Sequence, residues 1–240
     1  MSDFVRRNDT NCDRKPTEES CHKQYHYADI AIQHDHYDRT FHGARNYDIV
    51  AAVTAAIQVL KGESAPAPFS FKDKHEALLV LTHYVGDIHQ PLHVGAVYLD
   101  ANGKPVDPDS GSFDATTETR GGNDILLTKT SKVHSNDLHS AWDAYPTSLN
   151  TSSVDASLLK RARAVQTSPG EALNWPTVWA TETLGSAQQG FKGLKFGKKQ
   201  STHWSVTLSS QYAATMDTLK KEQLAKAGKR LADLLQAIWP

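Results

Sequence analysis

Cysteine, net charge and long apolar runs are all scarce in this chain, and each shortage removes a class of protein. Two cysteines in 240 residues exclude a disulfide-dense scaffold. Lys and Arg total 26 against 27 Asp and Glu, for a net charge of −1. That argues against a broad basic surface holding nucleic acid by its own charge. It leaves room for a nucleic-acid enzyme whose positive charge comes from bound metal ions. No apolar run approaches the length needed to cross a bilayer. No internal repeat and no set of alternating strands stands out. A signal peptide is also missing, because Met1 leads directly into Ser2-Asp3-Phe4-Val5-Arg6-Arg7. Two expectations follow: a cytosolic protein, or a natural start upstream of this one.

What the chain has in excess is histidine, 12 in all. The length suits one large core, or two small ones. Cys12 and Cys21 are close in sequence and read as one small loop closure, a disulfide that would imply an oxidising compartment. Metal ligation by this pair stays open, although the spacing suits no common zinc motif. Asn8-Asp9-Thr10 and Asn150-Thr151-Ser152 match the glycosylation pattern, which is too common to decide anything.

Helical periodicity dominates the chain. Ile49, Val50, Val53, Ala56, Ile57 and Leu60 predict a helix over 46–60, stopped at Lys61-Gly62. Ala65-Pro66-Ala67-Pro68 reads as a linker. A second helix is expected from Lys72 to His89, ended by Pro91. Residues 94–122, rich in Gly, Asp, Thr and Pro, read as a long loop with a short hairpin at Ala101-Asn102-Gly103. A short helix carrying His139 and Asp143 is expected within 138–149, and further helices over 153–165, 173–190 and 211–239. The last carries Leu219, Leu224, Ala227, Leu231, Leu234 and Leu235 on one side. The fold class is therefore all-α: a single multi-helix domain over 1–240, with an irregular loop across one face.

The chemistry centres on His83-Tyr84-Val85-Gly86-Asp87-Ile88-His89-Gln90-Pro91-Leu92-His93, which follows the apolar run Ala77 to Leu81. Buried His and Asp need partners, and a metal ion is the usual one when several converge. His83 and Asp87 are four apart and share a helix face. His93 follows the turn at Pro91. His139 and Asp143 repeat the four-residue spacing on another helix, and His26 supplies one more donor. One such pair alone is usually a helix-surface ion pair. Two pairs with extra histidines provide ligands for at least two Zn2+ ions. His89, nearly opposite Asp87 on the helix, reads as a packing residue. His34, Asp35 and His36 read as solvated loop residues. Clustered zinc ions suit phosphate-ester hydrolysis, and Asp87 is the best candidate to bridge two of them.

The string from His83 to His93 resembles the core signature of the S1/P1 nuclease family. Arg120-Gly121-Gly122-Asn123, Leu138-His139-Ser140-Ala141-Trp142-Asp143 and Tyr25-His26-Tyr27-Ala28-Asp29 resemble its other elements, in the family order. The resemblance implies a helical phospholipase C/P1 nuclease-like fold and a trinuclear zinc phosphodiesterase. Such an enzyme would cut single-stranded DNA or RNA and remove 3′-phosphates from nucleotides. It assigns His26, His83 and Asp87 to a first zinc, and His93, His139 and Asp143 to a second. Asp87 would also reach a third. Ser2-Asp3-Phe4-Val5-Arg6 is similar to a family segment whose Trp is missing here. By that likeness Asp3 is a further first-site ligand and Arg6 a phosphate contact. Tyr27 falls where an aromatic stacks on a base, and Asp29 where a carboxylate hydrogen-bonds it. A core aromatic is an equal reading of Tyr27 from the residues alone.

The family's extreme N-terminal segment, with a Trp and a His that bind the third zinc, has no counterpart before Asp3. Either the natural start lies upstream of Met1, which would supply both that segment and a secretion signal and make the protein secreted or periplasmic, or the third site has been lost. The nearest rival is a zinc-dependent phospholipase C, which closes its last pair with Glu where this chain has Asp143. A non-catalytic metal-binding relative is the other alternative. A monomer with no membrane span is expected.

Overall fold

The computed structural model describes residues 24–149 and 155–240. Asp3, Arg6, Cys12 and Cys21 lie outside these residues.

Helix α1 (Ile49–Lys61) is the centre of the larger core. Ile49, Val50, Val53, Ala56, Ile57 and Leu60, which carry its periodicity, are all buried. Small alanines at 52 and 55 bury the rest of its surface, so α1 is covered nearly all round. Asp48 caps it, accepting from the Val50 and Ala51 amides at 3.0 and 3.1 Å. Gly62 closes it at φ 97°, the left-handed conformation that favours glycine.

Helix α2 (Lys74–Asp87) packs along α1 through Ala77, Val80, Leu81, Tyr84 and Val85. Helix α3 (Pro91–Val94), α4 (Leu138–Asp143) and α5 (Ala156–Ala164) are short. Helix α6 (Trp175–Phe191) closes the larger core with Trp175, Trp179 and Leu184. A second, adjoining cluster joins Leu92, Ile125, Leu138, Trp142, Phe191, Trp204 and Leu219. Helix α7 (Ser210–Ile238) touches both clusters, with Leu234 in one and Leu219 in the other. Each fully buried large apolar side chain contributes about 1.5–3 kcal/mol.

Several expectations need correction. Pro91 does not end the second helix. That helix stops at Asp87, and Pro91 opens α3 at its first position, where no amide hydrogen is needed. Short strands do form. Ile30–Ala31 (β1) pairs in parallel with Gly95–Ala96 (β2), and Ile125–Leu127 (β5) with Trp204–Val206 (β6). Two or three residues are too few to display a period of two. The expected hairpin is present, pairing Tyr98–Leu99 (β3) with Pro105–Val106 (β4).

The 94–122 segment is not a cover over the metal site. It is used up in the hairpin and in turns, and only its closing residues, Arg120 and Gly121, reach the cavity described below. On α7, Leu224 is 37 % exposed, whereas Lys220, Gln223 and Arg230 are buried.

Candidate metal centre

Local pairings bring distant histidines together. The β1–β2 pairing, with the Ala28 amide donating to His93 O at 2.7 Å, lays the 24–31 segment beside α3. That places His26, from a 3-10 turn, against the C-terminal end of α2. On α2, His83 and Asp87 share one face. The result is a first triad: His26 Nδ1 is 2.7 Å from Asp87 Oδ2, His83 Nε2 is 3.0 Å from the same oxygen, and the two ring nitrogens are 3.1 Å apart.

The second triad joins α3 to α4. His93 Nε2 lies 3.3 Å from Asp143 Oδ1, and His139 Nε2 lies 3.5 Å from Asp143 Oδ2. The two imidazoles stack with centroids 4.9 Å apart. Asp87 connects the triads, since its other oxygen, Oδ1, is 3.8 Å from His93 Nδ1.

Backbone carbonyls set the tautomers of two rings. His93 Nδ1 donates to His26 O at 2.8 Å, and His139 Nδ1 donates to Gly121 O at 2.9 Å. Each leaves Nε2 free to face Asp143, the arrangement a metal-binding imidazole requires. Gly121 has φ 59°, and a Cβ there would meet Leu92 O at 2.8 Å and Asp29 Oδ1 at 3.1 Å. The glycine pair of Arg120-Gly121-Gly122-Asn123 thus lets this turn wedge between Leu92 and His139.

The donor sets fit divalent cations. In each triad two imidazoles and a carboxylate offer one atom apiece, all within 4.8 Å of one another. His93 Nε2, which faces Asp143, is buried without a hydrogen-bond partner. Burial alone would raise Asp87, yet His93, His26 and His83 hold it well below the usual carboxylate range. Burial opposes the charged form of His93, but Asp87 and Asp143 lift it to about 9. Asp143 is held down to about 2, against its burial, mainly by His93.

Both triads open on one cavity of about 830 Å³, which Tyr27 and Asp29 also line. Burial, and then the Glu118 carboxylate, push Asp29 up to about 7, while burial pushes Tyr27 up to about 12.

His89 is not a ligand. Its Nδ1 donates to Val85 O at 2.7 Å and its Nε2 accepts from Arg230 at 3.0 Å. Burial, with Arg230 beside it, holds it neutral, down to about 3. His34 departs from the solvated reading. It stacks on Phe41 and lies 2.7 Å from Asp109 and 3.6 Å from Asp107, away from the cavity. Asp35 next to it is exposed, as expected.

Three contributors were missed from sequence. Gln90 donates to Asp143 Oδ1 at 2.9 Å while its own oxygen caps α3 through the Leu92 amide. Lys220 and Gln223 reach the cavity from α7. A signal was available for the latter: Lys220, Gln223 and Arg230 interrupt the apolar side of α7 at helical spacing.

A helical protein with two adjoining His2Asp triads in one cavity offers groups of donors that could hold metal ions. The S1/P1 nuclease profile matches residues 9–240, and the chain belongs to that family. It is similar to Endonuclease 1 of Arabidopsis thaliana, 28% identical over 181 residues, covering 68% of this chain and 50% of that protein. It is also similar to Endonuclease 2 of the same plant, 26% identical over 183 residues, covering 76% and 58%. The chain thus spans about half the length of the curated relatives it matches. Among the described residues, no helix is long and apolar enough to cross a membrane.

Proposed function

We propose that this protein is a zinc-dependent phosphodiesterase that hydrolyses single-stranded DNA or RNA and removes 3′-phosphates from nucleotides. The observation that carries the reading is the joining of two His2Asp triads through Asp87 in one cavity that also holds Tyr27 and Asp29. His26, His83 and Asp87 would hold one ion, with Asp3 adding to them. His93, His139 and Asp143 would hold another, and Asp87 would also reach a third. When bound, zinc supplies a Lewis acid that ionises water near neutral pH and neutralises phosphate oxygens.

The chain's own groups do the rest. The carbonyls of His26 and Gly121 hold His93 and His139 in the tautomer that leaves Nε2 free. Gln90 fixes the Asp143 carboxylate. Arg6 would contact the phosphate. Tyr27 offers a ring face on which a base can stack, which requires that the base be unpaired. Asp29, beside it, would hydrogen-bond the base edge.

The test is a substrate panel on purified, zinc-loaded protein. Single-stranded DNA and RNA and 3′-nucleotides should be hydrolysed, and duplex DNA far more slowly. Hydrolysis of phosphatidylcholine with none of single-stranded DNA would overturn the reading. Asp87→Asn should abolish activity and lower the bound zinc together.

A further inference from the structure

We propose that Lys220 is a positioning residue for the second triad, acting through the last turn of α4 on Asp143. The inference rests on the reading of the triads as metal sites. Lys220 is 7 % exposed and belongs to α7, far from the ligands in sequence. Its Nζ donates to Ala141 O, and to Ala144 O at 2.7 Å. Among the described residues it makes no ion pair within 4.0 Å. An ammonium group has three donors, and here two of them are spent on the end of one helix.

The helix it holds is poorly able to hold itself. Helix α4 has six residues, Leu138–Asp143, too few to stand without outside support. The last carbonyls of any helix have no partner within it, and they carry the negative end of its dipole. At the N-terminal end, Asp137 caps the Ser140 amide at 2.7 Å. At the other end Lys220 takes the carbonyls on either side of Trp142 and Asp143. Burying an ammonium is costly unless its donors are satisfied, so these bonds fix both partners.

Asp143 depends on this anchor more than its neighbours do. It is the final residue of α4, and its side chain is half exposed. By contrast Leu138, Ala141 and Trp142 are packed in the core. What fixes its carboxylate between His93 and His139 is the backbone beneath it, together with Gln90. A lysine placed only to balance charge would point at Asp143; this one points at the backbone on both sides of it.

The test is metal binding by the full chain, independent of turnover. Zn2+ titration calorimetry and Co2+ absorption follow each site, with His83→Ala and His139→Ala assigning the steps. In Lys220→Met the second-triad ion should weaken by about 10–100-fold, the size typical of groups that orient a ligand. The first-triad ion should stay within about two-fold, an order-of-magnitude allowance for a site whose ligands are untouched. Lys220→Arg, which keeps donors for both carbonyls, should recover most of the loss. Unchanged binding of both ions, or equal weakening of both, would overturn the positioning role. Should Lys220→Met fail to fold, Lys220→Gln serves in its place, and parent-like affinity at the second triad there overturns it equally. No metal binding by the parent chain would instead sink the reading of the site itself.

Discussion

Asp87 and Asp29 are both half-buried carboxylates of one cavity, yet their environments push them in opposite directions. Three imidazoles surround Asp87 and keep it ionised. Asp29 has burial and the nearby Glu118 against it, and rises to about 7. A carboxylate whose folded pKa is raised adds stability below its unfolded value, and that stability is lost as pH rises through the folded value. The chelated protein should therefore lose stability between about pH 4 and pH 7 from this group. Asp29→Asn removes the term, so the variant should melt like the parent at pH 4 and above it at pH 8. A melting difference that is flat with pH would contradict this. Gln90→Leu, which keeps the volume but removes the donor to Asp143, should weaken the second ion about 10-fold, as read by calorimetry.

At the scale of elements, the helices were legible and their ends were not. Apolar spacing located α2, α6 and α7, each of which buries a stripe along its length, and α1, which buries nearly its whole surface. The two HxxxD pairs were legible for the same reason: four residues return a side chain to one helix face. What brings the pairs together was not legible. The β1–β2 contact that carries His26 to α2 is two residues long, and the Gly121 wedge depends on tertiary fit. The α1 cap shows how much one terminus can matter. Asp48 is fully buried and accepts from Val50, Ala51, Arg45 and the Tyr37 hydroxyl. Asp48→Ala should cost about 2–4 kcal/mol in urea denaturation, combining a lost cap with unpaired buried donors. Gly121→Ala should push Leu92 and His139 apart. A drop in the proposed nuclease activity of at least about 10-fold is expected, equivalent to about 1.4 kcal/mol of barrier.

Across the whole molecule, the metal centre occupies the seam between the two apolar clusters. Tyr84 and Val85 on α2 belong to one, and Leu92, Leu138 and Trp142 to the other. Ions bound there would favour the folded state by mass action, about 4 kcal/mol at a thousand times Kd. Chelation should lower the melting temperature by several degrees, on the order of 2–4 °C per kcal/mol for a chain of this size. Restoring zinc should reverse the shift. Unaltered melting with a chelator present would mean that the seam closes without ions.

Helix α7 gives this arrangement an uneven genetic consequence. Every metal ligand assigned within the described residues lies at or before Asp143. Yet the carbonyl of His89, beside the first triad, is held by Gln223, and the end of α4 by Lys220. A premature stop codon after position 143 would spare the ligands and still disarm the centre. Inactivating alleles should therefore be as frequent in the codons for residues 155–240, which encode none of those ligands, as in the codons for residues 24–143, which encode them.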